Sequence, residues 1–117
     1  MSGVQRDRST EDLKARAIGL ASLVQYQDGA IVSREIVSQP TGTVTAFAFD
    51  AGEQLSEHTT AFDAMVIDLD GRAEITIGGK ANPIGPGEMI IMPAGVPHAL
   101  KAASRFKMLL VMIKKQA

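Results

Sequence analysis

The stretch that most constrains the fold of this chain is residues 87–98, GEMIIMPAGVPH, an apolar run followed by a Pro-x-Gly turn and a histidine. Residues 90–92 are predicted to form a short buried strand, and Pro93 ends it because proline has no N–H for the strand ladder. Gly95 can adopt the positive φ that a chain reversal needs. His98 is therefore predicted to open the next strand, with its ring held by a rigid turn.

Short strands separated by turn signals recur from residue 30 onward. Alternating apolar and polar residues predict strands such as residues 73–77, and the dipeptide Asp70-Gly71 predicts a tight turn. Eight or nine such strands are predicted, with a turn signal every eight to twelve residues. This rhythm is typical of a β-sandwich or a small barrel, and it excludes α/β architectures.

The N-terminal region differs from the rest of the chain. Residues 1–28 are predicted to form an arm, partly mobile, outside a barrel of residues 29–117. Residues 1–8 offer little that can pack against a core. A short, marginal helix is predicted over residues 10–18, because capping and acidic residues at its start favour a helix N-terminus. Gly19 disfavours a longer helix.

Composition excludes several classes of function. The chain carries 12 Lys and Arg against 13 Asp and Glu, so no basic field points to nucleic acid or to an anionic membrane. It has no cysteine, which excludes disulfides and thiolate metal sites. No apolar run approaches the ~20 residues of a membrane span, and the start of the chain lacks the apolar core of a secretion signal. A cytoplasmic protein is expected.

Two spaced motifs make residues 31–113 resemble the cupin family. Residues 87–98 match the second cupin motif, G-x5-P-x-G-x2-H-x3-N, as far as its histidine. Gly52, His58 and Gly71 match the frame of the first motif, G-x5-H-x-H-x(3,4)-E-x6-G. The resemblance implies an all-β fold, the cupin double-stranded β-helix or jelly-roll barrel, preceded by the short helical arm.

The resemblance also implies a metal site, and the sequence departs from it. In the family, two histidines and a glutamate of the first motif join the histidine of the second to hold a metal. Here His58 and His98 occupy the first and last ligand positions, but Thr60 and Ala64 replace the second histidine and the glutamate. A catalytic metal normally keeps three protein ligands, so the ligand set is incomplete.

Two carboxylates are candidates for a third ligand. Asp63 lies one residue before the vacated glutamate position, and Asp68 shares strand parity with Ala64. Asp63 can equally start its strand at the barrel rim, and Asp68 can equally be solvated. With His58, His98 and one carboxylate, a weakly held divalent metal (Fe, Ni, Zn or Mn) is the cofactor to expect, if there is one.

Three classes of function remain open. The first is a module that binds a small molecule in its barrel, with His58, His98, Thr60 and Asp63 as ligand-binding candidates. The second is a metal-dependent cupin enzyme, an oxygenase or isomerase acting on a small polar substrate. The third is an assembly domain. The missing ligands favour the first class.

The apolar residues near the C-terminus predict an assembly state. Residues 108–113 are apolar at six successive positions, so both faces of that strand must be covered. One face can pack in the barrel, and a second subunit can cover the other. We therefore expect a C2 homodimer. The methionines of the predicted strands are expected mainly to fill gaps in the core.

Overall fold

The computed structural model describes residues 4–7 and 10–114. Within these residues the chain forms ten strands and two single 3-10 turns, the turns being Glu11–Leu13 and Leu20–Leu23. None of the described helical segments has the length and apolarity to cross a membrane. The strands are β1 (Val4–Asp7), β2 (Ile31–Gln39), β3 (Gly42–Phe49), β4 (Gln54–His58), β5 (Ala64–Asp70), β6 (Ala73–Ile77), β7 (Lys80–Ile84), β8 (Met89–Met92), β9 (His98–Ala102) and β10 (Phe106–Ile113).

The strands form two sheets that pack face to face. One sheet has the order β1-β2-β3-β10-β5-β8 and the other the order β4-β9-β6-β7. All of the pairings are antiparallel except that of β1 with β2, which is parallel. The non-consecutive strand order is that of a jelly-roll barrel. The predicted all-β class and its two antiparallel sheets are confirmed.

Alternation along each strand places the core between the sheets. On β5 the buried positions are Ala64, Val66 and Asp68, while the residues between them are partly exposed. Such alternation is what a strand with one inward face must show. The rings of Phe49 and Phe106 lie with centroids 5.7 Å apart and are fully buried. These rings fill the interior away from the histidines.

The arm packs on the outer face of the six-stranded sheet. Val24 is buried there with Ala46 and Ala48, in a small second core. The Tyr26 hydroxyl donates a hydrogen bond of 2.6 Å to Asp70, and the Lys107 ammonium donates one of 2.7 Å to the carbonyl of residue 21. The arm therefore covers one part of the sheet's outer face.

Two predictions for the arm are corrected. The helix expected over residues 10–18 is only the 3-10 turn Glu11–Leu13, because the backbone becomes extended at Lys14 and Ala15 adopts a φ of 61°. Val4–Asp7, part of the segment expected to be mobile because it offers little to pack, pairs with β2 as an edge strand. The remaining residues for which mobility was predicted, 1–3 and 8, lie outside the described residues.

Candidate functional site

The two histidines of the chain meet on the inner face of the four-stranded sheet. His58 ends β4, His98 opens β9, and the two residues are directly opposite each other in the antiparallel pairing. Their ring centroids are 4.4 Å apart, with an angle of 66° between the ring planes. The prediction that His58 and His98 converge inside the barrel is confirmed.

The turn before His98 is fixed by hydrogen bonds to the segment that follows His58. Gly95 has a φ of 75°, as predicted, and its N–H donates a bond of 2.8 Å to the carbonyl of Thr60. The Ala94 N–H donates a bond of 2.8 Å to the Asp63 carboxylate. These two hydrogen bonds join the turn before His98 to the segment after His58 and so fix the relative position of the two imidazoles.

Each imidazole is oriented by a backbone carbonyl two residues earlier in the chain. His58 Nδ1 lies 2.8 Å from the carbonyl oxygen of Ser56, and His98 Nδ1 lies 3.3 Å from that of Val96. A carbonyl oxygen can only accept, so in both bonds Nδ1–H is the donor. In a neutral ring the lone pair then lies on Nε2, and neither Nε2 has a partner among the described residues.

The imidazoles face a small apolar cavity of about 110 Å³. Thr60 and Ala64, at the vacated ligand positions, also lie on its wall. The Thr60 hydroxyl donates a hydrogen bond of 2.7 Å to the carbonyl of Phe62. The other wall residues are all apolar: Leu55, Met92, Leu100, Met108, Leu110 and Met112.

The two histidines differ in exposure. His58 is exposed at the mouth of the cavity, whereas only 4% of His98 is accessible to solvent. Burial lowers the pKa of His98 below its ordinary value, and proximity to His58 lowers it further, against the hydrogen bond to the Val96 carbonyl. His98 is therefore a neutral imidazole at neutral pH.

The structure does not bring either candidate carboxylate to the histidines. Asp63 is exposed, and its side chain accepts the Ala94 N–H at the rim of the barrel. Asp68 faces the interior, as its parity with Ala64 predicts, and is only 1% exposed, so the alternative of a solvated Asp68 is wrong. Four residues along β5 separate it from Ala64, about 13 Å at ~3.3 Å per residue. Asp68 does not line the cavity.

The donors present do not fit the metal centre that the cupin fold implies. Among the described residues, no group of three or more His, Asp or Glu side chains is arranged to hold a metal ion. Two imidazoles fall short of the three protein ligands that a catalytic metal ordinarily keeps. The site is therefore a histidine pair at an apolar cavity.

Sequence reasoning underestimated the contribution of methionines to the cavity wall. Met92, Met108 and Met112, expected mainly to fill the core, also line the cavity. Leu110 and Met112 share the inward face of β10 with the buried Met108. Strand parity predicts which residues face inward, but it does not predict where the packed interior leaves a gap.

The fold and this site define a small cupin. The family's Cupin domain model matches residues 46–114, which is more than half of the chain and includes both histidines. The chain therefore belongs to the cupin family, as its two motifs suggested.

Comparison with individual proteins supports the same assignment. The chain is 32% identical over 71 residues to the uncharacterized protein SCO3923 of Streptomyces coelicolor, covering 61% of this chain and 66%, just under two thirds, of that protein. The crystal structure of the SPY1581 protein of unknown function from Streptococcus pyogenes has 39% identity and a TM-score of 0.84, covering 88% of this chain and 90% of the other. A cupin superfamily protein from Desulfitobacterium hafniense has 27% identity and a TM-score of 0.83, covering 87% and 94%.

Proposed function

We propose that this cupin binds a small molecule in the cavity between its sheets, with the polar end of the ligand at His58 and His98. The observation that carries the proposal is the pair of Nε2 atoms, both without a partner among the described residues, at the polar end of an apolar cavity. A pocket with a few convergent polar groups on an otherwise apolar wall is the usual form of a small-molecule site.

The size of the cavity limits the ligand. Its volume of about 110 Å³ is of the same order as a cavity of ~150 Å³ that holds one benzene molecule. Transferring apolar surface from water to this wall is favourable by roughly 25 cal/mol per Å². A ligand of about six to eight non-hydrogen atoms can therefore gain most of its affinity from the wall and its orientation from the histidines.

Binding of small aromatic probes tests the proposal. Benzene, toluene and phenol are titrated into the protein and followed by ligand-observed NMR, and at least one is expected to bind. Ala64→Leu, which places extra atoms inside the cavity, should weaken binding at least tenfold. Lys101→Ala is the matched control, because Lys101 lies in a groove on the other face of the four-stranded sheet. Absence of binding, or binding unchanged by Ala64→Leu, contradicts the proposal.

A metal-dependent oxygenase or isomerase is the alternative function. It is favoured by one observation: both Nδ1–H groups are held by carbonyls, which is how metal-binding histidines are commonly oriented. Against it stands the absence of a third protein donor in the described part of the site. Metal content of protein purified without an affinity tag, before and after chelation, separates the two functions. One tightly bound equivalent would place the enzyme first.

We also propose that the protein is a C2 homodimer through the outer face of its six-stranded sheet. One row across that face is apolar from edge to edge, and its outermost members, Val37 and Ile91, are 44% and 51% exposed. The row consists of Val37, Val44, Val111, Met65 and Ile91. Light scattering at micromolar concentration should give the dimer mass, and Val111→Glu should give the monomer. A monomeric mass for the wild type contradicts the dimer. If the protein is instead an assembly domain without a ligand, it should dimerise but bind none of the aromatic probes.

A further inference from the structure

The polar atoms of the cavity wall share one property that restricts which ligand can bind. The inference drawn from it rests on the proposed function. Three wall residues carry polar side chains: His58, Thr60 and His98. Each has its hydrogen-bond donor already used by a backbone carbonyl of the protein. What each can offer to a ligand is therefore a lone pair.

The orientation of each imidazole determines which of its two nitrogens can interact with a ligand. When Nδ1–H donates to the carbonyl of Ser56 or of Val96, the neutral ring has no second N–H. The opposite tautomer would place two lone pairs, one on Nδ1 and one on the carbonyl oxygen, 2.8 Å apart at His58. Nε2 of each ring is therefore a hydrogen-bond acceptor.

Thr60 is limited in the same way. A hydroxyl has one hydrogen, and that of Thr60 is directed to the Phe62 carbonyl at 2.7 Å. Its Oγ1 retains lone pairs only. The hydroxyl at this position therefore adds no free hydrogen-bond donor to the wall.

The wall also lacks charge. Among the described residues, none that lines this cavity is Asp, Glu, Lys or Arg. An anionic ligand would meet acceptors and no donor, and a cationic ligand would leave water without a carboxylate to replace it. Both are disfavoured relative to a neutral ligand with a hydroxyl or N–H donor.

We propose that the cavity selects neutral molecules that donate hydrogen bonds from an apolar body of benzene size, of which phenol is the simplest example. The donor faces the histidine Nε2 atoms, and the body contacts the aliphatic and methionine side chains. The sulfur atoms of Met92, Met108 and Met112 favour an aromatic body, because thioethers make favourable contacts with aromatic rings.

A matched set of probes tests the selectivity. Phenol, toluene and benzonitrile share one ring, lie within the size limit of the cavity and differ in the substituent: a hydrogen-bond donor, an apolar group of the same size, and a group that only accepts. By calorimetry and NMR at neutral pH, phenol should bind at least tenfold tighter than toluene, and benzonitrile at least tenfold weaker than phenol. An acceptor left unpaired by toluene in a buried site accounts for such a factor.

Variants connect the selectivity to the named atoms. Thr60→Val and His58→Phe each remove an acceptor while preserving bulk, and should reduce the preference for phenol over toluene several-fold with little effect on toluene itself. Glu57→Gln is the control, because Glu57 lies in the outward groove of the same sheet. An equal reduction for phenol and toluene would mean a change of shape and would overturn the assignment.

Ring nitrogen NMR gives a test that does not depend on any ligand. In their neutral forms both histidines should show the Nδ1–H tautomer, and observation of the neutral Nε2–H tautomer on either overturns the inference. Equal affinity for phenol and toluene, or a preference for benzonitrile, also overturns it but leaves the proposed small-molecule site in place. Failure of every probe to bind overturns the proposed function as well, so the two failures are distinguishable.

Discussion

The polar side chains at the two ends of the barrel interior differ in their hydrogen bonding. At the histidine end, defined by the cavity around His58 and His98, each ring donates to a backbone carbonyl and faces open space. At the carboxylate end, defined by Asp68, the side chain is 1% exposed and neither oxygen has a hydrogen-bond partner among the described residues. One end gives its polar groups hydrogen-bond partners, and the other leaves its buried carboxylate without one.

The environment of Asp68 explains its charge state. The pKa of Asp68 is raised from 3.8 to about 6, and burial is the largest cause. The charges of Asp70 and Glu88 also contribute to the rise, while the backbone N–H of Asp70 and the charge of Arg72 oppose it. That N–H does not reach hydrogen-bonding geometry. The carboxylate end therefore destabilises the ionised form of its own side chain.

The difference shows why position relative to a turn matters. His58 and His98 each stand at a strand end, next to a carbonyl that can accept from the ring. Val96 precedes β9, and Ser56 lies at the register shift of β4, where it has no paired residue on β9. Asp68 stands inside β5, where the neighbouring backbone groups are engaged in pairing. A polar residue that faces the interior next to a turn can thus be part of a site, whereas one within a strand mainly reduces stability.

The largest effect should come from loss of packing at the carboxylate end. Phe106→Ala removes a fully buried ring that contacts Phe49, and it should lower the free energy of unfolding by about 3 to 5 kcal/mol. Urea denaturation measures this change. Lys80→Ala, at an exposed position of a hairpin, is the control and should change stability by less than about 0.5 kcal/mol. A loss below 1 kcal/mol for Phe106→Ala would mean that this end is loosely packed.

Completing the set of metal ligands should strongly raise the metal affinity of the histidine end. Thr60→His together with Ala64→Glu places the two missing ligand types on the wall beside His58 and His98. Affinity for Zn²⁺ or Ni²⁺ should rise at least 100-fold, about 2.7 kcal/mol, because four protein donors replace two. Metal titration by calorimetry compares the double variant with wild type and with Thr60→Val/Ala64→Val. Tight binding of one equivalent by wild type would show that the site already suffices.

Removing the buried charge should stabilise the protein. Because the folded-state pKa of Asp68, about 6, lies above its ordinary 3.8, folding is favoured when the group is protonated. That contribution is complete below about pH 4 and is lost as the pH rises through 6. Asp68→Asn should therefore raise the free energy of unfolding by about 1 to 3 kcal/mol at pH 7.

The pH profile distinguishes this charge effect from a change of shape. Below pH 4 the gain from Asp68→Asn should largely disappear, since the carboxyl is then neutral in the folded state and becomes neutral in the unfolded state as the pH falls below 3.8. Glu74→Gln, at an exposed carboxylate on β6, provides the comparison. A gain for Asp68→Asn that is the same at pH 4 and pH 7 would contradict the burial argument.

Much of the fold could be predicted from the sequence because local chemistry and global topology agree in this chain. Alternation in β6, the turn at Gly71 and the Pro93 to Gly95 corner each determine their own conformation. The arm could not be predicted in the same way. Its Val24 and Tyr26 gain stability only by packing on β3 and on Asp70, which are distant in sequence.

The candidate site, like the fold, could be predicted from the sequence only in part. The spacing of His58 and His98 within two motifs predicted their convergence, because turns fix both residues. The roles of the two carboxylates could not be read from the sequence. The Asp63 carboxylate accepts the N–H of Ala94, which is 31 residues away in the chain. The parity of Asp68 predicts that it faces the interior, but not how deeply it is buried.

The smallest effect should come from the exposed histidine. His58→Ala should change the free energy of unfolding by less than about 0.5 kcal/mol, since the ring is exposed and water can replace its bond to the Ser56 carbonyl. His98→Ala should cost more, about 1 to 2 kcal/mol, because its ring is 4% exposed and leaves an enlarged cavity. Both measurements use urea denaturation at pH 7. A larger loss from His58 than from His98 would show that the mouth of the cavity, rather than its buried wall, maintains the histidine end.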